Sequence, residues 1–323
     1  MHPIVRSAAA LLLAFGLASP LSAQTKWPEK PVKLVVGFTA GSATDVTARL
    51  FAQKFSEAWG QPVVVENIAG NSGAIGVDRV AKAAPDGYTL MWSGNAAITI
   101  LPSLQTLPFD PVRDFAPIST SLSMPSVFVV NNDLPIKSMA DLIAYAKANP
   151  GKLNYASSGN GSLQHVTGAM LEQQGAIKMV HVPYKGTGPA LQDLLGGQVD
   201  LTFGTAPPFM PHIASGKLRV LAVTGKQRLP SLPDVPTTAE AGYPKVDATS
   251  WFAVFAPAAV PKAVVDKLTA DIRTVVQNPA FQQKAQEQGA TADYQTPAQL
   301  GDKVKADLAN WAQVVKTSKI EAE

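Results

Sequence analysis

Short apolar runs alternate with amphipathic stretches along the first third of the chain. Residues 32–37, 62–66 and 88–92 are rich in β-branched and aromatic side chains and predict strands. Residues 42–59 carry the apolar spacing of an amphipathic helix, and residues 77–84 predict a shorter one. Strands and helices that alternate with short connections are typical of a parallel α/β sheet.

The same alternation begins again near residue 126 and predicts a second unit. Its elements, in order, are strand 126–130, helix 138–149, strand 154–157, helix 163–175, strand 179–182, helix 189–195, strand 201–203 and strand 218–224. A late strand at 251–255 and helices at 262–277 and 297–316 are expected to return to the first unit. We therefore expect an α/β protein with one domain at 24–124 plus 249–323 and another at 125–248.

Two turns of glycine and hydroxyl residues follow predicted strands and precede predicted helices. They are Phe-Thr-Ala-Gly-Ser-Ala-Thr-Asp at 38–45 and Ser-Ser-Gly-Asn-Gly-Ser at 157–162. Helix N-termini present free amides and a positive partial charge, and ligands of open α/β sheets bind at the carboxyl ends of strands. Because neither turn contains Lys or Arg, two facing domains are expected to hold a small carboxylate through backbone amides and hydroxyls.

Asp45 and His165, which lie close to these turns, have simpler interpretations than catalysis. Ser42 and Asp45 have the spacing of a capping box, which favours Asp45 as a residue that caps the helix. His165 lies one turn into its predicted helix, which favours a cap or a cleft-lining residue over a general base. We therefore expect both residues at the site, but neither as a catalytic group.

Composition removes several classes of function. The 323 residues are 46% hydrophobic and 16% charged with a net charge of +3, which lacks the basic footprint of a nucleic-acid-binding protein. The absence of cysteine excludes disulfides, iron–sulfur clusters and thiol catalysis. The glycines at 159–161 lack the third glycine of a dinucleotide fingerprint, and neither a Walker loop nor a G-x-S-x-G elbow occurs. We expect no catalytic residue, no metal and no cofactor.

The N-terminus has the pattern of a secretory signal peptide. A short basic region at 1–6 precedes an apolar region at 8–17 and a small-residue processing site at 18–23. The apolar region is shorter than the roughly 20 residues that a membrane span needs. This pattern predicts a signal peptide at 1–23, cleavage after Ala23 and a periplasmic protein.

A set of ordered motifs carries a resemblance to a known family. They are Trp-Pro-Glu-Lys-Pro at 27–31, Val-Glu-Asn at 65–67, Pro-Asp-Gly-Tyr-Thr-Leu at 85–90, Tyr-Ala-Ser-Ser-Gly-Asn-Gly-Ser at 155–162, His-Val-Pro-Tyr-Lys-Gly at 181–186, Asp-Leu-Leu-Gly-Gly-Gln-Val-Asp at 193–200 and Leu-Pro-Asp-Val-Pro-Thr-Thr-Ala-Glu-Ala-Gly at 232–242. In this order the chain resembles the periplasmic solute-binding proteins of tripartite tricarboxylate transporters, the Bug or TctC-like family.

The resemblance implies a two-domain Venus flytrap fold, with two Rossmann-like α/β domains joined by crossover strands. It also implies a monomer that binds a mono-, di- or tricarboxylate or an aromatic acid and delivers it to a two-component membrane permease. The pattern and the resemblance together predict the ligand-binding residues Phe38, Thr39, Ala40, Gly41, Ser42, Asp45, Ser93, Asn95, Ser158, Gly159, Asn160, Gly161, Ser162, His165, Gly204 and Thr205. The sequence departs from the usual family pattern at Ser42, where a second glycine is common, and at Ile68 and Ala69.

Two other functions remain open on the sequence. A binding protein could feed a sensor kinase instead of a permease, and the sequence does not separate these two. A periplasmic α/β hydrolase or oxidoreductase is the alternative from another class, but the chain lacks an elbow serine, a metal cluster and a base–nucleophile pair. The identity of the carboxylate is left open as well.

Overall fold

The computed structural model describes residues 27–225, 227–318 and 320. The predicted signal peptide at 1–23 lies outside these described residues and stays a prediction. Among the described residues, no helix combines the length and apolar character that crossing a membrane requires.

The strands follow the predicted runs closely, with additions. They are β1 Val32–Val36, β2 Val63–Asn67, β3 Thr89–Gly94, β4 Phe115–Met124, β5 Ser126–Asn131, β6 Asn154–Ser157, β7 Val180–Pro183, β8 Leu201–Thr205, β9 Leu218–Val223, β10 Ser250–Pro257 and β11 Thr291–Ala292. The strands β4 and β11 were not predicted.

The helices are α1 Ala43–Trp59, α2 Ala74–Ala81, α3 Met139–Ala148, α4 Leu163–Gly175, α5 Thr187–Leu195, α6 Met210–Ala214, α7 Lys262–Gln277, α8 Pro279–Glu287 and α9 Pro297–Thr317. A π-helix at Ala96–Ile100 and 3₁₀ turns at Asn71–Gly73 and Leu101–Ser103 complete the list. The helix α2 begins three residues earlier than predicted, and α5 begins two residues earlier.

The strands form two separate sheets. The first has the order β11-β4-β10-β3-β1-β2 and the second has the order β7-β6-β8-β5-β9. Within the first sheet β2, β1 and β3 are parallel, while β10 runs antiparallel to β3 and β4. Within the second, β7, β6 and β8 are parallel, while β5 runs antiparallel to β8 and β9. Each sheet is therefore mixed, with a parallel part as predicted and an antiparallel strand next to it.

Each sheet is covered on both faces, as expected where parallel strands are buried. On one face of the first sheet, Phe51 of α1 packs against Trp92 and Phe281, with ring centroids 4.6 and 4.8 Å away. The opposite face packs against α2 and α9. In the second sheet, Phe128 contacts Phe203 at 4.7 Å on the face covered by α3 and α4. Two separate cores follow, and we call the parts built around them the first and the second domain.

The chain crosses between the sheets at two adjacent places. The strand β4 leads through Pro125 directly into β5, and the chain returns after β9 to enter β10. The Ser126 hydroxyl donates to the Ala248 carbonyl at 2.7 Å, and the Thr224 amide donates to the Ser126 carbonyl at 2.7 Å. These bonds hold the two crossings side by side. The predicted domain bounds, 24–124 plus 249–323 and 125–248, stay a prediction.

Candidate functional site

A cavity of about 70 Å³ lies between the two sheets, where strands from both domains end. Phe38 follows β1, Asn95 follows β3 and Ser158 follows β6, so the cavity lies at the carboxyl ends of parallel strands. Of the predicted ligand-binding residues, the structure places these at the cavity: Phe38, Ser42, Asn95, Ser158, Gly204 and Thr205.

Other lining residues lie outside this predicted set. The first domain adds Ala43, Thr44, Gly94, Ala96, Ser250 and Phe252, and the second adds Ser126, Leu163, Gln164 and Thr187. Four of them, Ala43, Thr44, Leu163 and Gln164, are the opening residues of α1 and α4, so the predicted helix starts were a signal that could have found them. Ser126, Ser250 and Phe252 come from the crossover strands, where the local sequence carries no ligand motif.

Three helix N-termini open at the cavity. The Ser42 hydroxyl accepts the Asp45 amide at 3.3 Å and so begins α1, and the Ser162 hydroxyl accepts the His165 amide at 3.3 Å and begins α4. The helix α5 begins at Thr187, which also lines the cavity. Amides in a first turn have no acceptor inside their own helix, and each helix start carries a positive partial charge. The cavity is therefore suited to an anion.

The hydroxyls of two largely buried residues at the cavity make no hydrogen bond with another described residue. Thr44 and Ser250 are each 9% exposed, and their side-chain oxygens have no protein partner in the described chain. By contrast, Ser158 donates to Gln164 Oε1 at 2.9 Å. The Nε2 amino group of Gln164 makes no hydrogen bond within the described residues. These polar atoms line the cavity and are not among the buried atoms without a partner, so they are accessible to donate to a bound ligand.

The Asp45 side chain stabilises the first turn through hydrogen bonds. Its carboxylate is 2% exposed and accepts hydrogen bonds from the Gly41 amide at 2.9 Å, Asn67 Nδ2 at 2.9 Å and Arg49 Nε at 3.0 Å. Burial acts to raise the pKa of Asp45, but these hydrogen bonds outweigh it and hold the pKa below its ordinary value. The Gly41 amide is therefore already bonded inside the turn, and Asp45 stabilises the loop from behind.

The second predicted turn is supported by two histidines. The ring of His165 stacks on that of His181 with centroids 3.9 Å apart, and His165 Nδ1 accepts the Gly161 amide at 3.2 Å. His181 Nε2 lies 2.6 Å from the Ser157 hydroxyl. Burial, and then the neighbouring His165, lower the pKa of His181 to about 3. The stacked rings of His165 and His181 thus hold the turn that precedes α4.

The remaining predicted residues surround the cavity without lining it. They are Thr39, Ala40, Gly41, Asp45, Ser93, Gly159, Asn160, Gly161, Ser162 and His165. Some of them bring the domains together. The Ser72 hydroxyl of the first domain donates to the Asn160 carbonyl of the second at 2.5 Å. The turn at 158–162 is therefore a contact between the domains as well as an edge of the cavity.

None of the described residues that line the cavity has an ionisable side chain. Within the described part of the chain, no group of His, Cys, Asp and Glu is arranged to hold a metal ion. A larger groove of about 670 Å³ lies on the first domain alone. Four of its charged residues pair with one another, with Lys33 3.4 Å from Glu66 and Lys82 2.7 Å from Asp78. Because the groove also lies away from the starts of α1, α4 and α5, the interdomain cavity is the better candidate.

Known proteins that are similar to this chain belong to one family of receptors. The family model described as tripartite tricarboxylate transporter family receptor matches residues 47–320. Protein BugT of Bordetella pertussis is 38% identical over 306 residues, which cover 93% of each chain. The chain belongs to this receptor family. The predicted family resemblance is thereby confirmed.

Solved structures of similar proteins agree with the fold of this family receptor. R. palustris Rpa4515 with adipate is 37% identical with a TM-score of 0.89, covering 91% of this chain and 99% of that one. MatC from Rhodopseudomonas palustris with bound malate is 31% identical with a TM-score of 0.84, covering 89% and 99%. The predicted two-domain fold of a periplasmic binding protein is confirmed.

Proposed function

We propose that this receptor binds a small carboxylate in the interdomain cavity and delivers it from the periplasm to a two-component membrane permease. The observation that carries the proposal is a neutral cavity at which three helix N-termini open. Helix N-termini attract anions without a paired cation. The relatives solved with adipate and malate support the same class of ligand.

Binding in this cavity would be reversible because its polar groups are amides and hydroxyls. The first turns of α1, α4 and α5 would donate amide hydrogens to the carboxylate, while Thr44, Ser250 and Gln164 would bond the remaining polar atoms. Residues of both domains contribute, so neither domain alone holds the full set of donors. The ligand would therefore favour the closed arrangement through its higher affinity for that state.

A thermal-shift screen of the mature protein against organic acids and neutral sugars tests the proposal. A ligand at about 100 times its dissociation constant should raise the unfolding free energy by about 2.7 kcal/mol. We expect at least one carboxylate to raise the melting temperature and its neutral amide to leave it unchanged. A shift with sugars and none with acids would contradict the proposal.

The delivery step needs a separate test in cells. Uptake of the acid found in the screen should stop when the gene is deleted and return when it is supplied in trans. The periplasmic location and the cleavage after Ala23 are checked by fractionation and by N-terminal sequencing of the mature protein. Light scattering of the purified protein checks the proposed monomer.

A further inference from the structure

The apolar side chains along α9 belong to two different hydrophobic clusters. Leu300 and Val304, in the first half of the helix, are buried in the core of the first domain, and Leu308 packs against the same core. Trp311 is 6% exposed and belongs to a separate cluster. Because positions three or four residues apart lie on one face of a helix, one apolar face of α9 continues from the first cluster into the second. The first half therefore fixes α9 to the first domain, and the last turns contact other residues.

The cluster that contains Trp311 joins the two domains. Its other buried members are Ile100 of the first domain, Leu163 and Val166 of α4 in the second, and Ala248 in the segment that leads back into β10. Leu163 also lines the cavity, so the cluster reaches from the edge of the cavity to the crossover. The partly buried side chains that pack against this interdomain cluster are Leu104, Met170, Val314 and Ile320.

Two hydrogen bonds extend this contact to the C-terminal end of α9. Gln173 Nε2, in the last turn of α4, donates to the Thr317 carbonyl at 3.3 Å, and the Ser318 hydroxyl donates to Gln173 Oε1 at 3.1 Å. At 1.5 Å per residue, Gln173 lies about 15 Å along α4 from Leu163. The end of α9 is therefore joined to α4 at the end of α4 that is remote from the cavity, as well as through the interdomain cluster.

The two helices are fixed to different domains. Leu171 of α4 is buried in the core of the second domain, whereas Val304 of α9 is buried in the core of the first. Each helix therefore moves with its own domain, because a closely packed core resists deformation. A rotation that separates α4 from α9 would expose Val166, Ile100 and Trp311 to water, and exposing apolar surface costs free energy. The contact between α4 and α9 thus favours the described arrangement of the domains over a more open one.

We propose that the C-terminal end of α9, from Trp311 to Ser318 together with Ile320, is a latch that holds the second domain against the first. Trp311, Gln173 and Ser318 do not line the cavity, so the latch acts without contacting the ligand. A ligand that needs the closed state binds with an apparent dissociation constant equal to the intrinsic one divided by the closed fraction. The latch therefore raises the apparent affinity for such a ligand. This inference goes beyond the proposed function, since it does not depend on which molecule the cavity binds.

Small-angle scattering of the dialysed mature protein, without added ligand, tests the latch. We expect Trp311→Ala to increase the radius of gyration, because the loss of apolar contact with the second domain shifts the population toward open arrangements. Trp311→Phe keeps an aromatic ring at the site and should scatter as the wild type does. Val304→Ala is the matched control, since it removes apolar atoms from the same helix but within the core of the first domain alone. Far-UV circular dichroism checks that each variant keeps its helices. Equal radii of gyration in Trp311→Ala and the wild type would overturn the proposal.

A pair of surface variants keeps the proposal testable if Trp311→Ala does not fold. Gln173 on α4 and Gln192 on α5 are both exposed residues of the second domain, but only Gln173 bonds to the end of α9. We expect Gln173→Ala to make Trp311 more accessible to quenching by acrylamide, and Gln192→Ala to leave its accessibility unchanged. The fluorescence of Trp311 is obtained in each case by subtracting the signal of the same protein with Trp311→Phe. Equal quenching of Trp311 in the wild type and both variants would overturn the latch. Because no ligand is added in either experiment, that result would leave the proposed function to be judged by the thermal-shift screen.

Discussion

At the scale of single residues, Ser250 and Ser126 show how two hydroxyls at one cavity differ in role. Ser126 is 1% exposed and donates to the Ala248 carbonyl at 2.7 Å, so its hydroxyl is already used to join the crossover segments. Ser250 lines the same cavity but makes no side-chain hydrogen bond with a described residue. The first hydroxyl therefore stabilises the fold, and the second is left for a ligand.

Alanine substitutions should separate these two roles. We expect Ser126→Ala to lower the unfolding free energy by about 1 kcal/mol because the Ala248 carbonyl loses the shorter of its two hydrogen bonds and keeps only that from the Thr224 hydroxyl at 3.2 Å. Ser250→Ala should change stability by less than about 0.5 kcal/mol and weaken carboxylate binding by about fivefold to tenfold. Urea unfolding and calorimetry measure the two effects. Wild-type affinity in Ser250→Ala would contradict the assignment of this hydroxyl to the ligand.

The histidine pair behind the second turn predicts how stability depends on pH. Unfolded His181 takes up a proton near its ordinary pKa of 6.5, whereas folded His181 stays neutral down to a pKa of about 3. Between these values the unfolded state binds more protons, so the unfolding free energy falls as the pH is lowered through this interval. The Tyr155 ring stacks on His181 at 5.0 Å, and the Ser157 hydroxyl contacts its Nε2, so neither neighbour supplies a negative charge that would favour the protonated ring.

Substituting the buried histidine should make this dependence weaker. We expect His181→Gln to flatten the fall in urea midpoint between about pH 6.5 and pH 4, because glutamine does not titrate. His212→Gln on α6 is the matched control and should keep the wild-type slope. If both variants and the wild type show one slope, the proton uptake does not come from His181.

At the scale of elements, helix starts could be predicted from local sequence signals, but strands with buried polar residues could not. Ser42 and Ser162 were expected to cap α1 and α4, and both do so. The strand β4 escaped prediction because its centre, Ser119, Thr120 and Ser121, is polar yet fully buried. Ser119 and Thr120 donate to the carbonyls of Gln295 and Asp293, a distant segment that no local pattern reveals.

The residues of the candidate site likewise fall into two groups, those that the local sequence predicts and those that it does not. The residues of the two turns are local in sequence, and three of the predicted ones, Phe38, Ser42 and Ser158, line the cavity. Thr187 was missed because α5 begins after Gly186, which has a φ of +119° and no side chain to mark the cap. Ser250 and Phe252 reach the cavity only because β10 returns to the first sheet between β3 and β4. The positions of Ser250 and Phe252 at the site therefore depend on tertiary structure.

The cap of α4 can be tested against an equivalent cap far from the cavity. Ser162 and Ser138 begin α4 and α3 in the same way, each accepting the amide of the third helical residue. Aspartate is as good a cap as serine, so Ser162→Asp and Ser138→Asp should both keep the helix start. Only Ser162→Asp places a negative charge next to the amides of Leu163 and Gln164. We expect this variant to weaken carboxylate binding by about tenfold or more.

Calorimetry with the carboxylate found in the screen, and with its neutral amide, measures this effect. Ser138→Asp should bind the acid as the wild type does, and thermal unfolding should show that both variants keep their stability. Equal affinity for the acid in the two aspartate variants would contradict a ligand carboxylate at the start of α4.

At the scale of the whole molecule, the two domains meet across the cavity at glycines. A Cβ atom at Gly161 would lie 2.6 Å from Leu101 Cδ1 and 2.8 Å from Leu104 Cδ1, both in the first domain. A Cβ atom at Gly186 would lie 2.7 Å from Thr39 Oγ1. A Cβ at either position would have to displace these side-chain ends, and both glycines have a positive φ, so the arrangement of the domains described here favours glycine at the edge of the cavity.

A larger residue at Gly161 should therefore oppose closure without changing either domain. Gly161 and Gly151 both belong to the second domain and have nearly the same φ, +71° and +72°, but a Cβ at Gly151 would meet nothing within 4 Å. Asparagine tolerates positive φ better than other side chains, so Gly161→Asn and Gly151→Asn impose similar backbone strain. We expect Gly161→Asn to weaken carboxylate binding by about tenfold or more, because part of the binding free energy would be lost in separating the domains.

Small-angle scattering with and without saturating carboxylate shows whether this loss comes from closure. The wild type and Gly151→Asn should become more compact with ligand, since the ligand contacts both domains and favours the closed state. Gly161→Asn should stay extended even where calorimetry shows that the ligand is bound. Equal compaction in all three proteins would mean that the approach of Gly161 to Leu101 and Leu104 does not control closure, and unchanged scattering of the ligand-bound wild type would exclude a closing movement as the basis of capture.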